Sequence, residues 1–249
     1  MTLNIKPATK EWLIEYEKVK DLLKPEINLG ELYTKKEAYG KRLFTIEIGE
    51  VNFPTGEILV RDPLVYLKKD SEPYFIKVPV GRFPLTILVV EVEEEHFRYA
   101  SFRVKFNDKK AVSYREALLG TEKLDDIEEG DMFGFDVDAG LASIVDVKTR
   151  DLYAEFEEKW YENNPDGNIY DDFFAAEFKR NYEKNPEFQR TSGDWINFKI
   201  PESDLSVPMI QSGYGDGGYP VYFGFDENDE ICEVIVEFIP FYMKDKDEE

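Results

Sequence analysis

S-G-Y-G-D-G-G-Y-P runs from Ser212 to Pro220, four glycines and one carboxylate between the apolar runs VPMIQ and VYFGF. Glycine at this density means backbone at positive φ, or backbone that something else approaches closely. Gly213, Gly215 and Gly218 satisfy G-x-G-x-x-G. A dinucleotide fold, however, needs that loop to open a helix whose N-terminus holds the pyrophosphate. Here Tyr219-Pro220 leads into VYFGF, a strand pattern, and Asp216 repels a diphosphate. A kinase glycine loop precedes a catalytic lysine and HRD and DFG motifs, and a Walker loop carries G-K-[ST]. The chain has none of these. The segment therefore reads as a connection between two strands, its glycines shaping a tight or bulged turn. Tyr214, Asp216 and Tyr219 stand at its tip, with Asp216 suited to an Asx-type turn.

Outward from this loop, strand patterns dominate both ends of the chain. DWINFKI, VPMIQSG, YPVYFGF and EICEVIVEFIPFY surround it. Upstream, Phe44, Ile46 and Ile48 alternate with polar residues, and FRYASFRVKF places Ala100, Phe102, Val104 and Phe106 on one face. The run Leu85 to Val92 is apolar on both faces, as in a central strand. YFIKVPVGRFP also reads as extended, and SYREALLG as a short helix. MFGFDVDAGLASIVDV reads as two strands joined at Asp138-Ala139-Gly140.

Helical signals recur along the chain. Thr9 caps a helix through Leu23 with Trp12, Tyr16 and Val19 on its face, and Asn28 starts a shorter one. Leu152, Phe156 and Trp160 share a face, as do Phe174, Phe178 and Tyr182. The expected fold is α+β: mostly antiparallel twisted sheet with an N-terminal helix and two inserted helices. No Pro/Gly/Ser-rich stretch marks a boundary, so residues 1–249 are expected to form a single domain. Residues 1–40 form a helical extension packed on it, and 245–249 an acidic, frayed tail.

The formal charge is −22, from 53 acids against 31 bases. This disfavours direct binding to nucleic acid or an anionic membrane and favours a basic protein partner. One cysteine excludes an intramolecular disulfide and suits a reducing, cytoplasmic setting. Charges at Lys6, Lys10 and Glu11 interrupt any signal-peptide pattern, and no apolar run has membrane-spanning length.

Several motifs occur together: Asp62-Pro63, V-P-V-G-R-F-P at 78–84, V-D-A-G at 137–140 with Asp146 beyond, and S-G-Y-G-D-G-G-Y at 212–219. In this order they resemble a bacterial family catalogued only as a domain of unknown function, over roughly residues 50 to 240. The resemblance implies no activity. It marks Asp62, Gly81, Pro84, Asp138, Gly140, Asp146, Gly213, Gly215, Asp216, Gly217 and Tyr219 as pattern positions.

Classical hydrolytic chemistry finds little footing. His96 is the only histidine and Cys232 the only cysteine, too few for a zinc site, and Cys232 shares an apolar face with Val234, Val236 and Phe238. EF-hand spacing fails from Asp136, Asn164 and Asp226, each lacking glycine at the sixth position. DENDE at 226–230 reads instead as a hairpin turn. No cofactor is expected. The expected function is an acidic, intracellular protein-binding or inhibitor protein of the immunity type, acting on a basic partner. Its candidate face comprises Asp62, Asp138, Gly140, Asp146, Ser212, Gly213, Tyr214, Gly215, Asp216, Gly217 and Tyr219. The alternative is a divalent-metal-dependent hydrolase whose cation is held by Asp138, Asp146 and Asp216.

Overall fold

A computed structural model describes residues 8–243 of the chain. In chain order the elements are α1 (Lys10–Val19), α2 (Leu29–Leu32), β1 (Glu37–Ala38), β2 (Lys41–Phe53), β3 (Ile58–Arg61), β4 (Gly81–Glu93), β5 (His96–Lys105), β6 (Ser113–Glu116), β7 (Phe135–Val137) and β8 (Leu141–Asp146). Then come α3 (Val147–Asn163), a π-helical turn (Tyr170–Phe174) running into α4 (Ala175–Lys184), β9 (Trp195–Lys199), β10 (Ser206–Gln211), β11 (Gly217–Tyr219), β12 (Val221–Phe225) and β13 (Ile231–Glu237). The fold is α+β, and every strand pair among the described residues is antiparallel. The tail expected at 245–249 lies outside the described residues.

The large sheet has the order β1-β2-β4-β5-β13-β12-β6 and the smaller one β3-β8-β10-β9, while β11 and β7 form a separate two-stranded ribbon. The smaller sheet is a middle layer. Its Ile58, Val60, Ala142, Ile144 and Ile210 pack with the apolar face of the large sheet, where Phe102, Val104, Phe223 and Val234 lie. The alternate residues Leu59, Leu141, Val145, Val207 and Met209 turn the other way, onto Tyr153, Phe174 and Phe178 of the helical layer. Period-2 alternation puts successive side chains on opposite faces. With both faces covered, all six residues of β8 are buried.

The second face of the large sheet carries Ser101, Arg103, Glu233, Glu237, Tyr114 and Glu116, by register across β5, β13, β12 and β6. Glu233 and Glu237 are buried there. The segment around α2 covers them: the Tyr33 hydroxyl meets Ser101 Oγ at 2.9 Å, and Gly30 N–H donates to the Tyr114 hydroxyl at 2.8 Å. Glu116 N–H donates to the Leu23 carbonyl at 2.8 Å. The charged-looking side of β13 is thus an interior polar interface.

Three expectations are corrected. α1 stops at Val19, four residues before Leu23, although Leu23 still packs with Tyr16 and Leu118. The 74–80 stretch is not a strand; extended structure begins at Gly81. SYRE is β6, paired with Tyr222–Phe225, rather than a helix. Pairing to β12 satisfies its backbone across the chain and buries Tyr114 and Glu116 in alternation, which outweighs a weak local preference. On α3, Phe156 and Trp160 pack on the core beside buried Arg150, Tyr153 and Glu157, while Leu152 lies at the solvent side. On α4, Phe178 is buried, as expected.

Candidate functional site

The glycine loop connects β10 to β11 and sits against the turn between β7 and β8. Ser212 N–H donates to the Gly140 carbonyl at 3.1 Å. β11 pairs with β7, setting Gly217 opposite Val137 and Gly218 opposite Asp136. A Cβ on Gly140 would touch Gly215 Cα at 3.9 Å, so the two turns lie in van der Waals contact. Gly213 and Gly215 adopt φ of 54° and 110°, as a connection between extended segments requires.

The loop is closed by its own polar groups. The Ser212 hydroxyl donates to the Gly215 carbonyl at 2.7 Å. The Tyr219 hydroxyl lies 3.0 Å from the Ser212 carbonyl and 2.7 Å from that of Gly215. Tyr219 is therefore buried, its ring edge-on to Phe238 at 5.2 Å, and burial raises its hydroxyl pKa. It is a strut rather than a displayed group. Tyr214 is the displayed one, 67% exposed, with the Arg98 guanidinium 5.9 Å from its ring centroid. Asp216 is exposed and makes no side-chain hydrogen bond among the described residues, so the expected Asx turn is replaced by the Ser212 and Tyr219 contacts.

Asp62 anchors the neighbouring turn from beneath. Its carboxylate is fully buried and accepts from four amides: Leu64 at 2.9 Å and Val65 at 3.3 Å through Oδ1, Asp138 at 3.1 Å and Ala139 at 2.6 Å through Oδ2. This leaves Asp138 pointing outward, where it accepts from the Tyr66 hydroxyl. That acceptor is the main reason the Tyr66 hydroxyl is pushed up to about 12.

Asp146 stands elsewhere. It ends β8, about 17 Å along the strand from Leu141 at the usual rise per residue. Its Oδ2 accepts from Thr55 N–H at 2.9 Å, the Thr55 hydroxyl at 2.8 Å and Gly56 N–H at 3.1 Å, and Oδ1 caps α3 through Lys148 N–H at 3.0 Å. It is fully buried and saturated with donors. Asp138, Asp146 and Asp216 consequently cannot share a cation with ligand distances of about 2.0–2.6 Å. Among the described residues no group of three or more His, Cys, Asp or Glu is placed to hold a metal ion.

The face that does assemble holds exposed Asp136, Asp138, Asp216 and Tyr214 above the buried anchors Asp62, Ser212, Gly213 and Tyr219. Beside it opens a cleft of about 320 Å³ lined by Tyr66, Phe133, Asp136 and Arg61 among others. Arg61 turns its guanidinium to the carbonyls of Val60 and Glu72 at 2.6 and 3.2 Å. Tyr66, Phe133 and Arg98 carried no sequence signal: Tyr66 meets Asp138 across 72 residues of chain.

A family model described as "Protein of unknown function (DUF4241)" matches residues 51–236. No curated protein and no solved structure matches the chain.

Proposed function

The chain belongs to the DUF4241 family, which assigns it no activity, and from its surface we infer that it is a binding protein that docks a basic protein partner, in the manner of an inhibitor or immunity protein. The observation that carries this is the junction of the glycine loop with the 138–140 turn: three exposed carboxylates and exposed Tyr214 on a backbone braced by buried Asp62 and Tyr219. A rigid acidic and aromatic surface loses little entropy on binding. The adjoining cleft offers Asp136 beside the rings of Tyr66 and Phe133, a setting that suits an inserted lysine or arginine. A net charge of −22 adds long-range attraction for such a partner.

The test is capture from a lysate of the source cells at low and high salt, using wild type and a Tyr214→Ala/Asp216→Lys double variant. Both side chains are exposed, so the fold should survive. The expected result is a basic protein retained by wild type at low salt, released at high salt, and lost with the variant. Equal capture by the variant, or no salt-sensitive partner at all, removes the proposal.

A further inference from the structure

Against an overall charge of −22, four cations line one cleft, at the opposite end of β5 from Arg98, the neighbour of Tyr214. A cleft of about 300 Å³ opens between the α2 segment, the end of β5 and the 107–112 loop, and Arg103, Lys105, Lys109 and Lys110 all line it. The cleft exists because α2 approaches the sheet closely. At Gly30 a Cβ would collide with Glu233 Oε1 and lie 2.6 Å from the Tyr114 hydroxyl, so glycine lets the segment close over this edge without filling the space.

The four cations are not equivalent. Lys109 Nζ is held by Asp226 at 2.5 Å and Glu230 at 2.6 Å and forms a fixed wall. The Arg103 guanidinium carbon sits 4.0 Å from the Tyr33 ring centroid, and its Nη1 reaches Glu233 at 3.4 Å. Its Nε is buried and has no hydrogen-bond partner. Lys105 and Lys110 have no ion-pair partner among the described residues. The one buried acid in the lining, Glu233, is met by Arg103 and by the Tyr114 hydroxyl at 2.6 Å. Glu31 is paired with Lys35 at 3.3 Å. The exposed Asp108 is the remaining acid of the lining.

The Arg103 guanidinium lines the cleft and meets its carboxylate partner, Glu233, through Nη1 at 3.4 Å, which leaves Nη2 of its planar fork without a carboxylate. Two free ammonium groups beside it supply mobile donors and charge. Arginine recognises oxyanions through its planar fork, and lysines add point charges from other directions. We propose that this cleft is an anion site for the phosphate group of a small phosphorylated molecule. The volume admits one such group with a modest body attached. The site is independent of the acidic docking face and stands or falls separately.

The experiment is a thermal-denaturation titration with inorganic phosphate at constant ionic strength, with chloride as the matched control and citrate as the carboxylate probe. A ligand that binds only the folded state raises the melting temperature with its concentration. Phosphate should raise it in wild type, and a Lys105→Gln/Lys110→Gln variant should lose most of that shift while melting like wild type in chloride. A Lys123→Gln variant, outside the cleft, should keep it. No excess of phosphate over chloride, an undiminished shift in the double variant, or a response to citrate alone would each overturn the assignment.

Discussion

Asp62 Oδ2 accepts the Ala139 amide at 2.6 Å, across 77 residues of chain, and so fixes the turn against which the glycine loop rests. At the other end of β8, Asp146 does the same for the Thr55–Gly56 turn. Two buried carboxylates thus staple the two ends of one buried strand.

Replacing Asp62 with alanine strands four amides that have no other acceptor among the described residues. A fully buried donor left unpaired costs roughly 1–3 kcal/mol, and these part-buried amides, which water can reach once the carboxylate is gone, each cost less. Asp62→Ala is therefore expected to lower stability by about 3 kcal/mol, read as the midpoint of urea unfolding, and Asp62→Asn by less. A midpoint unchanged in Asp62→Ala would mean the turn does not depend on this carboxylate.

The glycines of the loop should not be equally sensitive. A Cβ on Gly213 would come within 2.9 Å of Ile239 and 3.0 Å of Phe238, at φ 54°. One on Gly215 meets nothing within 4 Å, though its φ is 110°. Gly213→Ala should cost about 2 kcal/mol from strain and overpacking together, and Gly215→Ala about 1 kcal/mol from strain alone. Equal losses for the pair would count against the packing argument.

Three buried glutamates give stability a pH dependence. Burial pushes the carboxyls of Glu116, Glu157 and Glu237 up to about 7, from an ordinary value of 4.5. Between those values the folded state binds more protons than the unfolded state, so stability falls as pH rises. Their contribution is full below pH 4.5 and is lost as the pH passes 7. Glu91 and Asp226 act oppositely: hydrogen bonds from Arg42 and Lys109 lower their pKa values, and their contribution is lost on acidification. Glu237→Gln should flatten the decline in melting temperature between pH 5 and pH 8 and melt above wild type at pH 8. A variant whose profile runs parallel to that of wild type would exclude Glu237 from this role.

Cys232 is fully buried on β13, and burial, with Glu233 next in effect, pushes its thiol up to about 11. The thiolate is the reactive form. A colorimetric thiol reagent at pH 8 should label the native protein very slowly and the urea-unfolded protein promptly, with one equivalent. Prompt labelling of the folded chain would show that β13 opens readily.

The sequence was most legible where a strand keeps a continuous apolar face. β5 shows the alternation of Ala100, Phe102 and Val104 expected of it, and Leu85 to Val92 lies inside β4, between β2 and β5. It was least legible where long-range pairing decides. SYRE has no strand period strong enough to announce β6, and Glu233 and Glu237 look solvent-facing until α2 covers them. At the candidate site, Asp62, Asp138 and the glycine loop stood out as pattern positions, and they do come together. Asp146 stood out equally, but it braces a different turn. Sequence spacing cannot tell a carboxylate that is displayed from one that is saturated by amides.

The sequence by itself determined the α+β class, the extended continuation after the glycine loop and the acidic surface, because period, turn chemistry and net charge are properties of neighbouring residues or of their sum. Only the tertiary structure decided that β8 lies between two layers, that Tyr219 braces the loop while Tyr214 faces solvent, and that Arg103, Lys105 and Lys110 converge. Those arrangements depend on which distant backbone amides and apolar faces satisfy one another, and burial makes that choice over the whole chain at once.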